Sequence, residues 1–272
     1  TEVHYWTNRP IWPQGNLAGK INYQPVPKHV NWNSWLGPSP RQEYSPDIHP
    51  FKWRGWWDYG TGALGDIGCH SMDAAYWALD IEAPIRVTHV DSIANTEMWA
   101  PEQSTVVMEM RRRGGRPPVK FVWMDGGRLP ERPEELEPDR EIDGGDMGQL
   151  FIGTKGKIIA DIYCGSPRLV PEASMKEWMA SEPQKFIPRS PGTYQEFIEA
   201  CKGGEMPGAN LEYASRLTEA CLMGCAAIRH GRPLEYDSDR RLFTNAPEAN
   251  KYLSRAYKGD RTLDEALRRE FA

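Results

Sequence analysis

The hydrophobic positions of this chain change their spacing from one region to the next. After an alternating start at Thr1–Trp6, apolar residues are irregular to about residue 60, recur every second position over much of 85–162, and recur every third or fourth position from 194 onward. A period of two is typical of strands and a period of 3.6 is typical of amphipathic helices. Strands pooled between helical regions predict an α+β architecture, not alternating βαβ units.

The alternating segments predict the strands of one large sheet. Besides the first segment, they are 85–93, 104–111, 119–124, 149–152 and 157–162. Gly153-Thr-Lys-Gly156 lies between the last two and predicts a hairpin. The acidic, proline-rich segment 128–146 predicts a solvated loop of the sheet.

Three longer helices and one short turn complete the prediction. The first helix spans 65–80, with Asp66 at or near its N-cap. The second begins near Tyr194 and stops at Gly203-Gly204, and the third spans 211–230 and is capped by Gly231. The segment 31–35 predicts a single helical turn.

Composition narrows the range of functions. The 272 residues allow one large or two small domains, and the net charge of −5 argues against a nucleic-acid partner. No apolar run approaches the roughly 18–20 residues that span a bilayer, so we expect no membrane partner. The chain opens in a strand pattern without Met, which favours a processed or truncated chain and leaves its localisation open. The five cysteines lack metal spacing and do not indicate a disulfide framework. Cys221 and Cys225, one helical turn apart on an apolar helix, predict buried thiols.

The most informative polar pattern lies in the first predicted helix. Asp66, His70 and Asp73 are spaced i, i+4 and i+7, which places them on one helix face. Aromatic residues just upstream, among them Trp53 and Trp57, suggest that this face borders a cavity. The combination predicts a site for a small, polar, sugar-like molecule.

The segment Gly60-Thr-Gly-Ala-Leu-Gly65 matches the dinucleotide pattern G-x-G-x-x-G. That pattern has meaning when an apolar strand leads into the glycines. Here the preceding residues are rich in Trp and charge, so we interpret the glycines as allowing a tight turn and a helix that starts close to a neighbour.

Several longer motifs identify a family resemblance that runs from Glu2 to about Tyr257. They are Thr7-Asn-Arg-Pro-Ile-Trp-Pro-Gln14, Trp35-Leu-Gly-Pro38, Trp53-Arg-Gly-Trp-Trp-Asp58, Gly65-Asp-Ile-Gly-Cys-His70, Tyr194-Gln-Glu-Phe197 and Asn245-Ala-Pro-Glu-Ala-Asn250. They resemble the C-terminal domain of the glucose–fructose oxidoreductase / inositol dehydrogenase (Gfo/Idh/MocA) family. The resemblance implies a large open, mostly antiparallel sheet with helices packed on one face. It also implies a homo-oligomer formed through the open sheet.

The resemblance implies roles for the helix residues. His70 would transfer a proton to or from a substrate hydroxyl while hydride passes to or from a nicotinamide, and Asp66 would orient the substrate or tune His70. A base with a pKa near the working pH suits sugar-alcohol oxidation, and His is the usual choice. Asp73 would bind substrate or only anchor a neighbouring segment.

Other candidates surround these residues. Arg54, Trp53 and Trp57 would contact the hydroxyls and the apolar face of a sugar. Tyr44 and His49 are candidates for the rim of the site. Two further residues lie where the family's chain passes between its domains and would reach the nicotinamide: Arg9 and Trp12.

The chain departs from the family by lacking the N-terminal Rossmann domain and its catalytic Lys. We therefore predict a single α+β substrate-binding and oligomerisation domain over 1–272. NAD or NADP would bind in the full-length enzyme, with no cofactor expected on this chain alone. Two alternatives stay open: a cofactor-free or metal-assisted sugar hydrolase, lyase or isomerase, with Asp66, His70, Asp73 and His49 as ligands, or a non-catalytic carbohydrate-binding module.

Overall fold

A single β-sheet forms the centre of the fold. The computed structural model describes residues 1–13, 21–142, 146–255 and 257. The strands are β1 Glu2–Thr7, β2 Ile81–Ile93, β3 Gln103–Arg112, β4 Val119–Met124, β5 Met147–Ile152, β6 Lys157–Asp161, β7 Arg168–Val170, β8 Leu234–Asp237 and β9 Leu242–Phe243. Their order is β7-β6-β5-β1-β4-β3-β2-β8-β9. Neighbours are antiparallel except β1 and β4, which are parallel.

The α-helices are α1 Trp32–Leu36, α2 Gly62–Ser71, α3 Asp73–Leu79, α4 Glu172–Ala180, α5 Thr193–Cys201 and α6 Leu211–His230. Short 3-10 helices span Lys52–Gly55, Arg113–Gly115 and Pro247–Leu253. Within the described ranges, none of the helices is long and apolar enough to span a membrane. The α+β class and the mostly antiparallel open sheet are confirmed.

The main core lies between the sheet and the pair α2 and α6. Alternate residues of the strands, such as Tyr5 and Phe121, point to this side and are fully buried. A Cβ atom at Gly224 of α6 would lie 2.4 Å from the side chain of Leu64 of α2. The glycine therefore lets the two helices pack closely. All five cysteines are free, and Cys221 and Cys225 are buried, as predicted.

The opposite face of the sheet is partly covered, which corrects the prediction for 128–146. Leu136 is only 3% exposed and packs with Trp6 and Leu150 in a second core. The Arg132 guanidinium donates to the carbonyl oxygen of Leu136 at 3.1 Å and braces the loop. The few apolar residues of this acidic segment pack against the sheet, so the segment is not a fully solvated loop. Residues 143–145 lie outside the described part.

The prediction for the first helix is wrong at its start and its end. The helix begins at Gly62, with Thr61 as N-cap, so Asp66 lies in its second turn. It ends at Ser71, and α3 follows from Asp73. The glycines around residues 63 and 64 disfavour a helical turn. Burial of these two residues stabilises the turn all the same, because tertiary packing outweighs local helix propensity.

Candidate active site

Helix α2 presents two of the predicted residues on its outer side. Its buried side, which includes Leu64, Ile67 and Gly68, packs into the main core. Asp66 is half-buried, and His70, one turn further along, is exposed. The helix thus places a carboxylate and an imidazole at i and i+4, where a bound molecule can reach the ring.

Arg54 lies against this pair in an aromatic cage. Its Nε is 3.5 Å from Oδ1 of Asp66. The guanidinium carbon is 4.4 Å from the ring centroid of Phe51, 4.6 Å from that of Trp53 and 5.9 Å from that of Trp12. Aromatic faces attract a cation, and the planar guanidinium suits such stacking. The cage therefore fixes a positive charge beside Asp66.

The glycines of the G-x-G-x-x-G pattern shape the loop that carries Arg54. A Cβ atom at Gly60 would lie 2.4 Å from the carbonyl oxygen of Arg54, and one at Gly65 would lie 1.8 Å from Oγ1 of Thr61. The preceding residues form a 3-10 helix and turns, not a strand. The space around these glycines is taken by protein atoms, so this segment offers no cradle for a pyrophosphate.

Asp73 is committed to an internal contact. Its carboxylate accepts a hydrogen bond from the Tyr213 hydroxyl at 2.6 Å, and its carbonyl oxygen, 3.0 Å from the same hydroxyl, shares that proton. The carboxylate partner and burial both raise the pKa of Tyr213 well above its ordinary value, with burial the larger cause. Asp73 thus ties α3 to α6, although it is exposed.

Tyr44 and His49 lie in an aromatic cluster of the N-terminal segment. Tyr44 is buried and packs edge-on against Trp32, with ring centroids 5.2 Å apart. His49 packs edge-on against Trp35 at 5.5 Å and lies 6.1 Å from Tyr44. Their contacts support the loop; the structure does not bring them onto Asp66 or His70.

The remaining candidates occupy different positions. Trp57 is buried in the main core and donates from its indole to the Thr96 carbonyl at 3.1 Å. Trp12 is buried, packs edge-on against Phe51 and borders the cage around Arg54. The backbone of Arg9 joins the end of β1 to the turn after β4, because its carbonyl accepts from Gly126 N at 2.7 Å.

Sequence reasoning missed Tyr163, the aromatic neighbour of His70. The two ring centroids are 5.7 Å apart at an interplanar angle of 72°. The contact joins α2 to the turn after β6, and periodicity along the chain carries no information about such a pair. The one local signal is Asp161, whose carboxylate can cap the turn that contains Tyr163.

A buried carboxylate, Asp125, was also missed. It accepts hydrogen bonds from the Trp123 indole at 3.0 Å, from the Ser104 hydroxyl at 2.9 Å and from the Ser104 backbone N–H. Burial outweighs these donors and raises the pKa of Asp125 to about 7. Arg128, which binds Asp91, opposes the rise by its charge.

A large open groove of the described structure lies elsewhere. An open groove of about 1580 Å³ runs along α6 and is bordered by Trp57, Glu219 and Tyr252, and neither Asp66 nor His70 is among the described residues that line it. Because groove size alone does not identify a reactive group, we place the candidate site by the polar side chains of α2. Among the described residues, no group of three or more His, Cys, Asp or Glu is arranged to hold a metal ion.

Comparison with known proteins identifies the family. Residues 11–263 match the family model described as oxidoreductase family, C-terminal alpha/beta domain, of the Gfo/Idh/MocA type. Because the match covers most of the sequence, the chain belongs to this family. No curated protein matches it.

Among solved structures, the chain is similar to an oxidoreductase from Thermotoga maritima, with 15% sequence identity and a TM-score of 0.37. The similarity covers 72% of this chain and 51% of that one, so the chain spans about half the length of that oxidoreductase.

Proposed function

We propose that this chain is the substrate domain of an NAD(P)-dependent oxidoreductase that acts on a sugar, a cyclitol or a glycoside. The observation that carries the proposal is the pairing, on one helix of an oxidoreductase-family domain, of an exposed His70 with Asp66. An accessible imidazole is a suitable group for moving a proton at neutral pH.

In this proposal His70, Asp66 and Arg54 have different roles in the oxidation of the substrate. His70 takes the proton from the substrate hydroxyl that is oxidised, or returns it in the reverse direction. Asp66 accepts hydrogen bonds from neighbouring substrate hydroxyls. Arg54, whose Nε lies 3.5 Å from Oδ1 of Asp66, pairs with that carboxylate and holds it in position.

The dinucleotide is proposed to bind on a different domain. The G-x-G-x-x-G segment does not supply a phosphate cradle, since its glycines at 60 and 65 are in tight contact with protein atoms. Arg9 and Trp12, which follow β1, are our candidates for residues that approach the cofactor from this side. We derive no step through the cofactor itself.

Turnover by the complete polypeptide tests the proposal. The full-length protein would be assayed with NAD⁺ and NADP⁺ against D-glucose, D-galactose, D-xylose, myo-inositol and methyl β-D-glucoside, with reduced cofactor followed by absorbance. Dinucleotide-dependent oxidation of one of them is expected. Binding of a sugar without turnover would instead favour a carbohydrate-binding module, and cofactor-independent cleavage would favour a hydrolase or lyase.

The variant His70→Ala tests the assignment of the proton-transfer residue. We expect kcat to fall roughly 10²–10⁴-fold, because general acid–base catalysis contributes about that much. The matched control is His29→Ala, which removes another exposed imidazole and should leave kcat unchanged. A loss below about threefold in correctly folded His70→Ala would remove His70 from the mechanism.

A further inference from the structure

The turn after β6 is held in place from both sides. The Asp161 carboxylate accepts hydrogen bonds from the backbone N–H groups of Tyr163 and Gly165, each at 2.8 Å. The Asp161 carbonyl accepts from Cys164 N at 2.9 Å, and Cys164 adopts a left-handed φ of 58°. A Cβ atom at Gly165 would lie 2.3 Å from the Asp161 carboxylate, so this tight turn requires glycine.

A buried amide fixes the same turn from below. Gln149 of β5 has 0% exposure, and its Nε2 donates to the carbonyls of Asp161 at 2.9 Å and Ile162 at 3.3 Å. Ile162 is itself buried in the main core. The backbone on the N-terminal side of Tyr163 is therefore anchored by a buried hydrogen-bonding side chain and by core packing.

This rigid turn presents a large aromatic ring to solvent. Tyr163 is 65% exposed, and among the described residues the ring that it contacts is the imidazole of His70. A nearly perpendicular contact leaves at least one face of the tyrosine ring uncovered, whichever ring supplies the edge. An edge contact between two aromatic rings contributes only about 0.5–1.5 kcal/mol. This contact alone does not explain why Asp161 and Gln149 hold the turn with so many hydrogen bonds.

We propose that Tyr163 is a substrate-binding residue: its uncovered ring face stacks on the C–H face of a sugar or cyclitol ring, whose reacting hydroxyl then lies at His70. The inference rests on the proposed function and specifies its substrate class as a cyclic polyol with an apolar ring face. Asp161 and Gln149 are positioning residues, because they hold the turn and do not touch the ligand. Ligand sites commonly combine such an aromatic wall with a few directed polar groups.

Steady-state kinetics of three variants of the full-length protein test the inference, with the best substrate of the sugar panel as the probe. For Tyr163→Ala we expect KM to rise at least about tenfold, with kcat reduced by a smaller factor, because ring stacking is lost in binding. Tyr163→Phe keeps the ring and should stay within about threefold of the wild type. The control Trp77→Ala removes an equally exposed aromatic residue from α3 and should change neither constant.

The His70 imidazole proton resonances give a readout that needs no substrate. The ring current of Tyr163 acts on a ring 5.7 Å away, so Tyr163→Ala should shift these resonances and Tyr163→Phe should largely preserve them. Because the side chain is exposed, the thermal midpoint should change little in either variant.

The possible failures are distinguishable. If the wild type oxidises a cyclic polyol and His70→Ala is inactive, but Tyr163→Ala keeps KM within twofold, the inference is overturned and the proposed function stands. D-Sorbitol is added to the panel as an acyclic polyol, and if it were the best substrate, the stated substrate class would be wrong. If the wild type oxidises none of the compounds, the proposed function fails and the inference fails with it.

Discussion

At the scale of single residues, Asp125 is the strongest case of an environment that changes a side chain's chemistry. The carboxyl is 2% exposed, and burial raises its pKa from 3.8 to about 7 in the folded protein. The folded state therefore holds a proton that the unfolded chain releases near pH 4. The stabilising contribution is complete below about pH 4 and is lost as the pH rises through about 7.

This argument predicts the behaviour of Asp125→Asn, whose amide resembles the protonated carboxyl. The rise in the pKa of Asp125 from 3.8 to about 7 changes the free energy of unfolding by on the order of 4 kcal/mol. We expect the free energy of unfolding of the wild type, measured in urea, to fall between pH 4.5 and pH 8. The free energy of unfolding of Asp125→Asn should depend less on pH over the same range. Asp58→Asn, at an exposed position, serves as the control. Equal pH dependence in Asp125→Asn and the wild type would contradict the prediction.

Residue chemistry was predictable where it is local in the chain. The i, i+4 spacing of Asp66 and His70 placed both on one helix side, and the structure has them on the outer side of α2. The cage around Arg54 and the contact between Tyr163 and His70 join distant segments, so no periodicity indicates them. Asp125 follows a predicted strand, but only the packed structure shows that Trp123 and Ser104 enclose it.

At the scale of elements, the boundaries of α6 were predicted well because its signals are local. Asn210 caps its start by accepting from Tyr213 N at 3.0 Å, and Gly231 ends it with a left-handed φ of 75°. The start of α2 was missed because packing, not capping chemistry, stabilises its first turn. Capping residues therefore predict the ends of a helix only where packing against neighbouring elements does not stabilise additional turns.

The close approach of α2 and α6 makes Gly224 a sensitive position. A larger side chain there must displace Leu64 and the Met108 terminus, whose atoms would lie 2.4 and 3.1 Å from a Cβ atom. We expect Gly224→Leu to lower the free energy of unfolding by about 1–3 kcal/mol through overpacking, despite the better helix propensity of leucine.

Chemical denaturation of Gly224→Leu measures this effect against a control on the same helix. Thr218→Leu adds a leucine on the exposed side of α6 and should change the stability by no more than about 0.5 kcal/mol. If both variants had the same stability as the wild type, the helix contact would be looser than the structure indicates.

At the scale of the whole molecule, two surfaces of the described residues leave apolar side chains at least partly exposed. One is the sheet face opposite the helices; half-buried Val107 of β3 lies on this face, because its neighbours Val106 and Met108 point into the main core. The other surrounds α5, which buries none of its residues: Phe186, Tyr194 and Phe197 are 84%, 88% and 64% exposed. Surfaces of this kind commonly mark interaction sites.

We propose that the chain forms a homo-oligomer through the open sheet face, and the two surfaces allow a direct test by light scattering after size exclusion. Val107→Glu places a charge at the centre of the sheet face, where burial without a partner is costly, so the molar mass should fall. Phe197→Ser makes a comparable change on α5 and should leave the mass unchanged. The opposite result, dissociation by Phe197→Ser alone, would move the interface to α5 and leave the sheet face for another partner. The full-length protein is the material for this comparison, because the interface is proposed for the complete polypeptide and the molar mass must be compared with that of its monomer.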